Sequence, residues 1–124
     1  MKVARARVAV VDDDESVRES LPELLKEMGY AVRAYASARE FLAPGEVERC
    51  DCLILDVAMP GMSGPDLQRE LGRLGHAVPI IFITAQSDQS IRSVLLQHGA
   101  VECLFKPFSD QQLQSALAAA LPGV

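Results

Sequence analysis

Short apolar runs alternate with amphipathic stretches five times along the chain, with runs at residues 8–11, 31–35, 53–55, 79–84 and 102–105. Three of the runs are continuously apolar, the pattern of strands buried on both faces of a parallel sheet. The second sets Arg33 among apolar residues, with Tyr30 and Tyr35 at its ends, which suits an edge strand. Between the runs, Ser16 with Glu19, Ser37 with Glu40 and Ser109 with Gln112 read as capping boxes. In each, the hydroxyl and the later acid or amide satisfy free N–H groups of a first turn. Pro65 after Gly64 fits the first position of another helix. Ser87 or Asp88 can cap one more, stopped in left-handed geometry by Gly99.

The first amphipathic stretch gathers Val17, Leu21, Leu24, Leu25 and Met28 on one face, and the last gathers Leu113, Ala116, Leu117, Ala120 and Leu121. Pro22 lies beyond the first turn of the first helix and is expected to kink it. Five strands alternating with five helices predict an α/β domain with right-handed crossovers and a parallel sheet. The whole of residues 1–124 reads as one such domain, without linker, repeat or low-complexity segment.

The composition agrees with a packed core: of 124 residues, 49% are hydrophobic and 23% charged, unlike a disordered tail. The apolar runs fall well short of the ~18–20 residues of a membrane span, and the basic start lacks the apolar region of a secretory signal. A cytoplasmic protein without membrane contact is expected. The net charge of −5 argues against direct nucleic-acid binding, which needs clustered Lys and Arg. Cys50, Cys52 and Cys103 follow no metal spacing and read as reduced thiols.

In sheets of this kind, ligands bind beyond the carboxyl ends of the strands. There the sequence places Asp12-Asp13-Asp14-Glu15 after the first run, Asp56 after the third, Thr84 after the fourth and Lys106-Pro107 after the fifth. Each has a plainer reading alone: an acidic first turn complementing a helix dipole, a solvated loop acid, a surface lysine. Together on one rim they imply chemistry. Two carboxylates about 5 Å apart repel by roughly 3 kcal/mol at an effective dielectric of about 20, so Asp12, Asp13 and Asp56 need a counter-charge. A hard divalent ion, Mg²⁺, suits such oxygen ligands and could bridge a carboxylate to a phosphoryl group. Thr84 and Lys106 would bind the other phosphoryl oxygens, leaving one carboxylate to form an acyl phosphate.

The segments Val10-Val11-Asp12-Asp13-Asp14-Glu15, Leu53 through Gly64 with Asp56-Val57-Ala58-Met59-Pro60-Gly61, Ile83-Thr84-Ala85, Gly99-Ala100 and Lys106-Pro107-Phe108 resemble the receiver domain of two-component response regulators. Ser37 through Leu42 and Gly99 through Glu102 look most similar to FixJ-type receivers. The resemblance implies a CheY-like, flavodoxin-like α/β fold: a five-stranded parallel sheet of order 2-1-3-4-5 with helices on both faces. It implies that Asp56 is the phosphoacceptor, taking the group from a sensor histidine kinase. Asp12, Asp13, Asp56 and the backbone carbonyl of Ala58 would hold Mg²⁺, with Thr84 and Lys106 on the phosphoryl group and a cis bond before Pro107. The chain would then be a regulatory domain rather than a turnover enzyme. It would switch its helix 4–strand 5–helix 5 surface, form a homodimer on phosphorylation and serve a DNA-binding output domain in transcription regulation.

Two departures from the family pattern stand out. Cys103 takes the place of the usual switch aromatic, which points to Phe105, one step along the same strand face and backed by Leu96, as the residue of conformational output. Ala58 and Gln86 occupy the positions that commonly tune dephosphorylation. Asp12-x-Asp14-x-Ser16 also fits a haloacid-dehalogenase-like phosphatase with Asp12 as nucleophile, the main alternative.

Overall fold

A computed structural model describes residues 5–85 and 89–122. Gln86 and the cap expected at Ser87 or Asp88 lie outside the described residues. The strands β1 (Arg7–Val11), β2 (Ala31–Tyr35), β3 (Cys52–Asp56), β4 (Ile80–Thr84) and β5 (Glu102–Phe105) form one sheet in the order β2-β1-β3-β4-β5. All four pairings are parallel. The order reverses direction after β1, so the crevice above β1 and β3 is the switch point at which such sheets bind ligands.

The apolar alternation divides the core between the two faces of the sheet. Val8, Val10, Ile54, Ile81, Ile83 and Leu104 meet Leu21 and Leu25 of α1 (Glu15–Glu27) and Leu113 and Leu117 of α5 (Asp110–Ala120). On the other face, Val11, Leu53, Leu55 and Phe82 meet Phe41 of α2 (Ala38–Phe41), Leu67 and Leu71 of α3 (Gly64–Arg73) and Leu95 of α4 (Gln89–Gln97). β3 and β4 are buried at every position, as their continuous apolar runs require, whereas Arg33 and Ala34 of β2 face solvent at the sheet edge.

The helix ends correct several sequence-based expectations. Ser109 and Gln112 form the expected capping box. Ser16 does not cap α1: the nearer carboxylate of Asp14 accepts from the Ser16 N–H at 2.9 Å and its hydroxyl at 2.8 Å. The helix therefore starts at Glu15, before Ser16. Ser37 caps α2 through the Glu40 N–H, but the Glu40 side chain accepts from Ala36, one residue before the cap. That helix is a single turn, because Pro44 cannot continue it and Gly45 turns the chain at φ 83°.

In α3, a capping box of Ser63 with Asp66 places Gly64 first and moves Pro65 to the second position. Pro22 does not interrupt α1, whose 13 residues include it. Leu21 and Leu25, buried on either side, hold both halves of the helix on the sheet.

Candidate functional site

The hydrogen-bond ladder of the sheet runs one residue past the strands and so fixes the rim. The Asp12 N–H donates to the Tyr35 carbonyl at 3.1 Å, the Val57 N–H to Ile83 at 3.0 Å and the Lys106 N–H to Thr84 at 2.8 Å. The chain thus leaves β1, β3 and β5 in directions set by backbone pairing, and the side chains of Asp12, Asp56 and Lys106 converge. A carboxylate oxygen from each of Asp12, Asp13 and Asp56 lies within 4.8 Å of the others. Asp12 is fully buried and Asp56 nearly so, whereas Asp13 faces solvent.

Lys106 supplies part of the counter-charge that the acids require. Its Nζ lies 3.1 Å from Asp12 Oδ2 and 3.6 Å from Asp56 Oδ1. The other Asp12 oxygen accepts from the Asp14 N–H at 2.9 Å. Burial pushes the Asp56 carboxyl up to about 6, the charges of Asp12 and Asp13 adding to the rise and Lys106 opposing it. Burial works against the Lys106 ammonium, but its hydrogen bond to Asp12 and the charges of Asp56 and Asp12 outweigh that and raise its pKa. One lysine thus faces two buried acids, which leaves room for a second cation. Three clustered carboxylates with only oxygen donors fit Mg²⁺.

The other residues singled out in the sequence divide into two groups. Thr84 is buried at the end of β4, and the Lys106–Pro107 peptide beyond β5 is cis. Ala58 is exposed in the loop two residues past Asp56. Cys103 and Phe105 both lie on the face of β5 that packs with α3 and α4, Cys103 buried and Phe105 half-buried. Phe105 pairs with Thr84 across the strands and Cys103 with Phe82. Phe105 is therefore the β5 neighbour of a rim residue, while Cys103 lies one pleat deeper.

Two residues received no role at the site from the sequence reading, although Gly64 closes the segment 53–64. Arg18 donates from Nη1 to the Asp12 carbonyl at 3.0 Å, six residues back along the chain, a separation without periodic signature. Gly64 donates its N–H to the Val57 carbonyl at 3.0 Å. A Cβ there would overlap the Asp56 main-chain oxygen and lie 3.0 Å from the Phe82 ring. Its signal was the position after a capping serine.

A family model described as the response regulator receiver domain matches residues 8–118. Nodulation protein W of Bradyrhizobium diazoefficiens is 47% identical over 116 residues, covering 94% of this chain and 51% of that protein. Response regulator protein TodT of Pseudomonas putida is 42% identical over 114 residues, covering 92% of this chain and 50% of that protein. The chain spans about half the length of the curated relatives it matches. Among solved structures, the crystal structure of FixJ-N superposes with a TM-score of 0.87 at 37% identity, covering 98% of both chains.

The phosphatase alternative finds no support in these matches, and the geometry opposes it. Both carboxylate oxygens of Asp12 are occupied by donors. Asp14, which would be the general acid, is held in the ionised form by its hydrogen bonds from the Ser16 hydroxyl and N–H.

Proposed function

The chain belongs to the response regulator receiver domain family, whose members are phosphorylated on an aspartate, and on that premise we propose that Asp56 is the phosphoacceptor here. The observation that carries the assignment is the division of labour among three clustered acids. Asp12 has both oxygens committed to Asp14 and Lys106, and Asp13 sits outside in solvent. Asp56 ends a buried strand with Lys106 Nζ 3.6 Å from one oxygen. A carboxylate oxygen of Asp56 attacks the phosphorus of a phosphohistidine; the new P–O bond forms as the P–N bond breaks, and the imidazole leaves with the electron pair.

Asp13, Asp56 and the Ala58 carbonyl would hold Mg²⁺, with Asp12 acting directly or through water. When bound, Mg²⁺ would supply positive charge against the phosphoryl oxygens. Lys106 turns from the carboxylates to a phosphoryl oxygen, and the Thr84 hydroxyl donates to another. Phe105, paired in register with Thr84, carries the change to the α4–β5–α5 surface, where two phosphorylated copies associate.

The donor is a sensor histidine kinase, and the chain acts as a cytoplasmic regulatory domain that turns over only its own phosphoryl group. That the relatives are about twice as long as this chain, and that another relative is named a transcriptional regulatory protein, supports service to a DNA-binding output domain and a role in transcription regulation. No helix among the described residues is long and apolar enough to cross a membrane.

The test is incubation with acetyl phosphate and Mg²⁺, then mapping of the modified residue by mass spectrometry. Label is expected on Asp56 and is lost in Asp56→Asn and in chelator. Label on Asp12 instead, or full labelling of the Asp56→Asn protein, overturns the assignment.

A further inference from the structure

Asp12 has four polar functions, and every one of them is held. Its N–H is bonded to β2 through Tyr35, one carboxylate oxygen accepts from Asp14 and the other from Lys106. The fourth is its carbonyl, which lies past the last residue of β1 and accepts from Arg18 Nη1 at 3.0 Å. Arg18 is half-buried in the first turns of α1, a helix anchored to the sheet by Leu21 and Leu25.

We infer that Arg18 is a positioning residue for the acidic site, acting through the Asp12 main chain; this rests on the reading of Asp56 as phosphoacceptor. Residues 12–14 are three consecutive acids whose mutual repulsion drives the turn open. The direction of the Asp12 carbonyl fixes the peptide plane between Asp12 and Asp13, and hence where the Asp13 side chain leaves the backbone. The sheet holds the N–H side of Asp12 and the bond from the Asp14 N–H to its carboxylate closes the turn, but the carbonyl itself takes its direction from Arg18. Arginine suits the task because its planar fork donates in a fixed direction and stays charged at all working pH.

The direction of the effect separates positioning from plain charge. A cation beside a metal site repels the metal, so loss of charge alone would tighten Mg²⁺ binding. Loss of positioning weakens it, by roughly tenfold for a group that orients ligands. The experiment is calorimetric titration of Mg²⁺ into wild type, Arg18→Gln and Arg18→Lys, with Arg73→Gln as a control for an exposed arginine paired with Glu70 on α3. Thermal melts show whether each variant is folded, and labelling by acetyl phosphate is followed at limiting and saturating Mg²⁺.

Arg18→Gln is expected to bind Mg²⁺ about tenfold more weakly and to label slowly at limiting Mg²⁺, its rate recovering in part at saturation. Arg18→Lys, which keeps a donor, is expected to fall between Gln and wild type, and Arg73→Gln to match wild type. The inference is overturned if Arg18→Gln binds Mg²⁺ as tightly as wild type or more tightly, or if Arg18→Lys is no better than Arg18→Gln. Wild type that takes no label on Asp56 overturns the functional reading itself, a result separate from either of these.

Discussion

At the scale of single residues, the burial that suits Asp56 to its proposed role lowers stability. Its folded pKa of about 6 lies above the 3.8 of a free aspartate, so between those values the folded state binds more protons than the unfolded state. Stability therefore falls as pH rises from about 4 to about 6 and stays lower above that, by about 3 kcal/mol for a rise of roughly two pKa units. Asp56→Asn removes the penalty. In chelator, the variant is expected to melt several degrees above wild type at pH 7.5, and the gap to close near pH 4. Equal gaps at both values would show that Asp56 is not strained by its charge. The acids, Thr84 and Lys106 were readable in the sequence because strand ends can be located and the chemistry of those residues is specific. Arg18 was not, since its contact depends on how α1 leans over the turn.

At the scale of elements, α3 is positioned by the absence of a side chain. Gly64 lets the first turn of the helix lie against the Asp56 carbonyl and the Phe82 ring. Gly64→Ala is expected to cost about 1–3 kcal/mol, as overpacking does, and to slow labelling by shifting the end of β3. Gly72 is a helical glycine of the same element with nothing within 4 Å of its missing Cβ, so Gly72→Ala is expected to add about 0.5–1 kcal/mol and to leave labelling unchanged. Melts and labelling rates of the pair check both signs.

The strands were the most legible elements, since buried parallel strands leave continuous apolar runs such as Ile80–Thr84. Helix starts were less so. Asp14 and Ser16 can each start α1, Asp14 by accepting from the Ser16 N–H and Ser16 by accepting from Glu19, and the sequence does not say which does. The one-turn length of α2 was hidden because Ser37 announces a start, while the stop depends on Pro44 and Gly45.

At the scale of the whole molecule, the site and the proposed output surface are joined across a single strand pairing. Thr84 ends β4 and Phe105 ends β5 beside it, half-buried against the α3–α4 side. Phe105→Ala is expected to take up label at Asp56 normally but to lose association on phosphorylation, with Cys103→Ala keeping both, as read by sedimentation with and without acetyl phosphate. Retention of association in Phe105→Ala with its loss in Cys103→Ala would place the output at Cys103. The rim draws side chains from the ends of β1, β3, β4 and β5, whereas β2 contributes only the main-chain oxygen of Tyr35. Any amino acid carries that oxygen. The exposed positions at 43–45 can therefore drift in sequence, or accept a grafted loop or reporter near Pro44 and Gly45, while Ala38, Phe41 and Val47 stay in the core and the chemistry at the other strand ends is inherited intact.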